Sequence, residues 1–313
     1  MTRVPPTLLP LLLGAAAAAI GGSDPRDLHS AVRIGEWSYC DQSYCVALRH
    51  GAQPLWLCTI TVSKTGLEGQ AGMHVVSVRS TDLGSTWSAP VALERSNISN
   101  VYSTVVGPTA FGRVYAVYNA NVGGLRPSLV GGRVDTMGDF YMRWSDDGGV
   151  SWSAERLLVP YRSTAVDRGN CFPGHPEVNG SVKMMWTVDQ AKIREDTAYF
   201  AFTKIGTYPQ GPPEEGFVLA SSNILTERDA NAVRWSLLPD GDHGLAPVTP
   251  GGGPSCAFPA RDKACVAEEF HIVPLFETAG HFAVFRTTQG YLGATHTRDA
   301  TARSGWVASQ YAQ

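Results

Sequence analysis

The chain has 313 residues, 43% of them hydrophobic and 17% charged, with a net charge of −3. That length supports one large core or two ordinary ones. The slight acidity and the lack of any basic run exclude a nucleic-acid binder that works by neutralising phosphates. The 33 Gly and 20 Pro, with 8 Trp, 11 Tyr and 11 Phe, suit turns and strands better than helices.

The first residues read as a secretory signal. Arg3 supplies a positive start, Leu8 to Ile20 is apolar, and Ala19, Gly21 and Gly22 are small residues ahead of Ser23. The apolar run is too short for an ordinary membrane span. The expected division is therefore a signal peptide over 1–22 and one domain over 23–313, secreted and free of the membrane after cleavage. The six cysteines are Cys40, Cys45, Cys58, Cys171, Cys256 and Cys265. Their even count fits disulfides in a secreted chain. Cys256 with Cys265 would close a short loop, and two of Cys40, Cys45 and Cys58 can pair locally. The spacings do not suit a zinc ribbon or finger. Asn97-Ile98-Ser99 and Asn179-Gly180-Ser181 are glycosylation triplets, relevant on a secretory route.

Strand-like runs then recur in a fixed relation to one turn. His74 to Val78 leads into Ser80-Thr81-Asp82-Leu83-Gly84-Ser85-Thr86-Trp87, and Pro90 to Leu93 follows. Phe140 to Trp144 leads into Ser145-Asp146-Asp147-Gly148-Gly149-Val150-Ser151-Trp152, and Arg156 to Val159 follows. The shared pattern is Ser-x-Asp-x-Gly-x-(Ser/Thr)-Trp. Two weaker copies come later, around Asn223 before Arg234 to Leu238, and around Asp299 before Gly305-Trp306-Val307. The four markers fall roughly 65 to 76 residues apart, longer than the ~40–50 of WD40 or kelch repeats. Ser and Asp side chains bind nearby backbone groups, Gly accepts positive φ, and Trp anchors the loop by burial. Asp82 and Asp147 therefore have the chemistry of turn-makers.

These repeats resemble the Asp boxes, or BNR repeats, of the sialidase superfamily. The resemblance implies an all-β, sialidase-like β-propeller with each box between the third and fourth strands of a blade. The family ring is six-bladed. About four blades are readable here, so the chain is expected to be shortened or to form an incomplete or four-bladed ring. Blade one runs from about Trp37 to Leu93, with Leu55 to Ser63 central. Blade two has Val114 to Asn119, Phe140 to Trp144 and Leu157 to Val159. Blade three has Val182 to Val188, Ala198 to Thr203, Phe217 to Ala220 and Arg234 to Leu238. Blade four has His271 to Leu275, His281 to Arg286, Tyr291 to Thr297 and Trp306 to Ser309.

The resemblance also implies a site. Sialidases hold the sugar carboxylate with three arginines, whose forks match a carboxylate bidentately. They use a Tyr nucleophile with a Glu partner and an Asp acid/base. Glu269-Phe270-His271-Ile272-Val273-Pro274-Leu275, followed by a strand ending in Arg286, is similar to the family's fourth-blade pattern. By that likeness Glu269 is the nucleophile's partner and Arg286 a carboxylate binder. Their plainer reading is a rim salt bridge between Glu268 or Glu269 and Arg286. Blade one departs from the family: Cys40 to Val46 carries no arginine, and Lys64 to Gln70 offers only Glu68 where an acid/base is expected. Glu68 can equally be a solvated loop residue, and Asp41 with Glu68 is an alternative carboxylate pair. Arg168 is a candidate for the funnel, or else a loop ion pair with Asp167 or Glu177. Lys192 to Asp196 reads as a solvated hairpin tip and Asp240 to Gly244 as a turn. No counterpart of the Tyr nucleophile or a third arginine is legible.

The expected function is that of a secreted glycoside hydrolase similar to an exo-α-sialidase, acting on terminal sialic acid or a related acidic sugar. A propeller that binds glycans without catalysis is the alternative. The expected partners are sialylated or acidic glycans. A monomer is expected, with no cofactor and no metal.

Overall fold

The computed structural model describes residues 29, 31–50, 53–64, 66–95, 97–130, 132–170, 172, 174–207, 211–245, 267–286 and 292–312. The signal-like segment, Cys171 and the Cys256–Cys265 pairing lie outside them. The chain divides into Met1–Arg33 and a second unit, Ile34–Gln313, which holds every sheet.

Four antiparallel meanders follow one another in sequence order. The first is β1 (Tyr39–His50), β2 (Gln53–Ser63), β3 (His74–Ser80) and β4 (Val91–Ala92). The second is β5 (Asn100–Val106), β6 (Val114–Ala120), β7 (Asp139–Ser145) and β8 (Leu157–Leu158). In the third, β9 (Met185–Trp186) and β10 (Lys192–Arg194) both pair with β11 (Thr197–Thr207), then come β12 (Gly211–Ser221) and β13 (Ser236–Leu238). The fourth is β14 (Glu268–Pro274), β15 (His281–Arg286), β16 (Leu292–Thr297) and β17 (Gln310–Ala312). One short helix, α1 (Ala165–Gly169), precedes the third sheet.

Each sheet packs face to face on the next, because its strands alternate apolar side chains to both faces. In β11, Ala198, Phe200 and Phe202 meet Phe140, Met142 and Tyr115 of the second sheet. The intervening Tyr199 and Ala201 meet Phe270, Ile272, Ala283 and Phe285 of the fourth. Leu55 and Leu57 of β2 pack with Val105 and Val114 of the second sheet. Cys58, Ile60 and Val62 face the other way and are covered by Ile34, Trp37 and Trp87. The architecture is therefore an all-β propeller arrangement of four blades.

The two octapeptide turns occupy equivalent places, between β3 and β4 and between β7 and β8, and their hydrogen bonds match. Ser80 Oγ donates to Asp82 at 2.8 Å and Ser145 Oγ to Asp147 at 2.7 Å. The amides of Gly84 and Gly149 each donate back to that serine oxygen at 2.7 Å. Thr86 and Ser151 give hydroxyl bonds to the aspartates at 2.6 Å in both copies, with amide bonds of 2.8 and 3.0 Å. Gly84 and Gly149 sit at φ of 89° and 85°, a region a side chain rarely enters. Asp299 holds a related turn through different positions, bonding Thr301 and Ser304. Asn223 spans a longer one, accepting from the Arg234 amide at 2.9 Å.

Some strand readings need correction. Asn100–Val106, which the sequence reading assigns to no blade, is the inner strand of blade two. Val182 to Val188 shrinks to Met185–Trp186, because the chain bulges away from β11 after Trp186. Of Lys192 to Asp196, Glu195 and Asp196 form the exposed hairpin turn, while Lys192–Arg194 is a strand paired with β11. The last strand lies at Gln310–Ala312 instead of Trp306 to Ser309, because Trp306 belongs to the Asp299 turn and packs on the core between blades three and four.

Candidate active site

The innermost strands of blades one, two and four share one irregularity. The ladder of β1 with β2 slips between Asp41 and Tyr44, that of β5 with β6 between Val101 and Thr104, and that of β14 with β15 between Glu268 and His271. Each bulge holds a non-glycine residue at left-handed φ: Gln42 at 50°, Tyr102 at 55° and Glu269 at 48°. Blade three has its own interruption, where Thr187 to Ala191 stand opposite Phe200 to Phe202. Bulges re-aim side chains out of the sheet pattern, and strained backbone of this kind collects at functional sites.

All four interruptions open on one cavity of about 190 Å3. Blade one contributes Asp41, Gln42 and Glu68, blade two Tyr102, blade three Trp186, Thr187 and Val188, and blade four Glu269 and Arg286. The volume is below the roughly 300–1,000 Å3 of drug-sized sites, the scale of one small ring rather than an extended chain. Inner strands of opposite blades touch beside it: Tyr44 donates to the carbonyl of Val188, and Gln190 Nε2 to that of Cys45 at 3.1 Å. Cys45 is joined to Cys58 directly across the β1–β2 ladder. Cys40 is exposed and outside the pair.

Thus Asp41, Glu68, Glu269 and Arg286, far apart in sequence, come together. Asp41 accepts from Tyr39 Oη at 2.9 Å and from the Gln42 amide at 2.7 Å. Arg286 is within 2.8 Å of Glu268 and 3.1 Å of Glu269. It therefore lines the cavity and also makes the rim pair. Arg168 is a correction: it does not line the cavity, but pairs at the surface with Asp242. The reason is local. The capping box of α1 turns Asp167 inward, where it meets the fully buried Lys204, so the next residue projects outward.

Behind the cavity lies a network that sequence reasoning missed. Arg133, from the long β6–β7 connection, donates to Glu68 at 2.7 Å and to the buried Asp135 at 2.9 Å. Tyr102 donates to the same Asp135 at 3.3 Å. Burial, reinforced by Asp135, pushes the Tyr102 phenol well above its ordinary range. Burial, with Asp189 and Asp41 adding to it, does the same at Tyr44. Both are hydroxyl donors rather than phenolates. Gln42 Oε1 is buried at the cavity with no hydrogen-bond partner among the described residues. The run Asn-Val-Tyr-Ser-Thr-Val-Val was the available signal for Tyr102, being rich in β-branched residues. Nothing in the sequence marks Trp186 or Arg133.

The lining thus offers three carboxylates, one guanidinium already shared by two glutamates, two aromatic residues and an unfilled amide oxygen. No cluster of His, Cys, Asp and Glu suited to a metal occurs among the described residues. No helix among them is long and apolar enough to cross a membrane.

No family model matches the chain, and no curated protein matches it. Solved structures do. The NanB sialidase of Streptococcus pneumoniae, crystallised with 2-[(3-chlorobenzyl)ammonio]ethanesulfonate, superposes with a TM-score of 0.52 at 13% identity, over 88% of this chain and 52% of that one. A protein of unknown function from Dyadobacter fermentans gives 0.53 at 12% identity, over 86% of this chain and 68% of that one. The chain thus spans about half the length of the NanB sialidase chain. The fold is a sialidase-like β-propeller.

Proposed function

We propose that this chain acts on glycans as a glycoside hydrolase, taking one terminal sugar into the cavity where the four inner strands meet. The observation that carries this is the convergence of Asp41, Glu68 and Glu269 with Tyr102 and Trp186 in one cavity. Glycosidic cleavage needs one carboxyl group to protonate the leaving oxygen and another to activate water or attack the sugar. Glu68, on a loop and more than half exposed, is suited to exchange protons with solvent. Glu269, set on its bulge, is suited to the opposite role. Aromatic faces and hydroxyl donors are the usual lining for a polar ring. The fold's likeness to a sialidase supports a glycan as partner.

The sialic acid reading is the second one, favoured by Arg286 at the cavity. Against it weighs the charge there. A sugar carboxylate would meet three carboxylates and a guanidinium already engaged by Glu268 and Glu269. An uncharged, hydroxyl-rich sugar fits that lining better. Secretion is proposed with the function: the signal-like start and the Cys45–Cys58 bond both suit an oxidising route.

A panel of fluorogenic glycosides tests this, with neutral hexosides, N-acetylhexosaminides and a sialoside side by side. Turnover of a neutral glycoside, reduced about 10²- to 10⁴-fold in Glu68→Gln or Glu269→Gln, is expected. Turnover confined to the sialoside would establish the second reading. Saturable sugar binding without turnover would make the chain a lectin-like propeller.

A further inference from the structure

A second hollow lies away from the cavity, on the outer part of blades three and four. It is a groove of about 260 Å3 that shares no lining residue with the cavity and has the opposite chemistry. Arg234, Arg303, Ser222, Ser236 and Thr301 are among its lining residues, the Thr301 hydroxyl being engaged by Asp299 at 2.6 Å. No carboxylate is among its lining residues.

The two arginines are held by the repeated turns. The carboxylate of Asp299 accepts from the amides of Thr301, Arg303 and Ser304 at 2.8, 3.1 and 3.0 Å, which fixes the backbone of Arg303. Its side chain then crosses to blade three, donating to Asp240 at 2.9 Å and to Ser236 Oγ at 3.4 Å. The amide of Asp240 returns a bond to the Arg303 carbonyl at 2.8 Å. On the facing side, Asn223 fixes the Arg234 amide at 2.9 Å. The Arg234 guanidinium itself makes no hydrogen bond or ion pair among the described residues. Turns that elsewhere only close a hairpin here present two cations across one groove.

We propose that this groove binds a tetrahedral oxyanion, a sulfate or phosphate group, either free or carried as an ester on a sugar. Two guanidinium forks, with the Ser222 and Ser236 hydroxyls beside them, are the donor set such a group needs. Arg303 keeps part of its charge engaged with Asp240, so Arg234 supplies most of the unbalanced positive charge. The proposal is independent of the hydrolase reading, because no residue is shared with the cavity.

Calorimetric titration of the full chain at low ionic strength tests it, with sodium sulfate, glucosamine 6-sulfate and unsulfated glucosamine as probes. Saturable binding of sulfate or of the ester is expected, weakened by added sodium chloride. Arg234→Gln is expected to weaken it about tenfold or more, Arg234→Lys to retain part of it, and Glu269→Gln to leave it unchanged. Tighter binding of the ester than of sulfate assigns the groove to a glycan ester, and equal binding assigns it to the bare ion. No saturable binding, equal binding of unsulfated glucosamine, or unchanged affinity in Arg234→Gln would each overturn the proposal.

Discussion

Arg133 of blade two donates to Glu68 of blade one at 2.7 Å while its Nε donates to the buried Asp135 at 2.9 Å. One side chain therefore ties a cavity-lining carboxylate to a carboxylate inside the protein. Arg133→Gln removes the partner of a buried charge and is expected to cost ~3 kcal/mol in urea unfolding. Replacing both, as Arg133→Gln with Asp135→Asn, is expected to recover most of that loss. The double variant is also the one in which to read turnover, since Glu68 then keeps its fold but loses its tether. A fall in kcat with little change in KM is the expected signature of a positioning residue.

Glu214 is buried beside Glu268, and burial first, then that neighbour, push its carboxyl well above the usual range, with Arg286 opposing. The folded state therefore keeps it protonated, while the unfolded chain ionises near roughly 4.3. The contribution of Glu214 to stability therefore falls as pH rises through that unfolded value. Glu214→Gln is expected to unfold at the same temperature as the native chain at pH 4 and about 2–4 °C higher at pH 7. Calorimetric scans at the two pH values check the sign.

The turn aspartates carry the opposite pH dependence. At Asp147, burial is outweighed by bonds from the Ser151 hydroxyl and amide, and the carboxyl falls to about 2. At Asp82, bonds from Thr86 lead, and it also falls to about 2. A lowered acid contributes stability above its unfolded value, lost as pH drops from ~4 toward ~2. Asp147→Ala is expected to cost about 1 kcal/mol at neutral pH, the low end for bonds to a charged group because solvent screens the turn. That difference should shrink as pH falls below ~4 and disappear only below ~2 in urea titrations.

The blades were legible because the turn that closes each one is written in consecutive residues. The side chains of Ser80, Asp82 and Thr86 bond to one another and to the backbone between them, so their spacing survives in the sequence. The cavity is another matter. Asp41, Glu68, Glu269 and Arg286 could be picked out, yet Gln42, Tyr102 and Glu269 sit at bulges in the inner strands of blades one, two and four. A bulge depends on pairing with a partner strand and leaves no spacing rule behind. Trp186 looked like an ordinary strand residue for that reason, and Tyr102 fell in a stretch assigned to no blade. Arg168 misled because a charge on a short helix can face either way, and the burial of Asp167 against Lys204 decided it.

The cavity where the four inner strands meet is most directly tested by crystals soaked with methyl glycosides of neutral sugars and, separately, with sialic acid. The account predicts density for a neutral sugar between Tyr102 and Trp186, its hydroxyls on Glu68, Glu269 and Gln42, and none for sialic acid. A sialic acid carboxylate seated on Arg286 would contradict the preference for an uncharged sugar. Sugar bound elsewhere, with the cavity empty, would contradict the site itself.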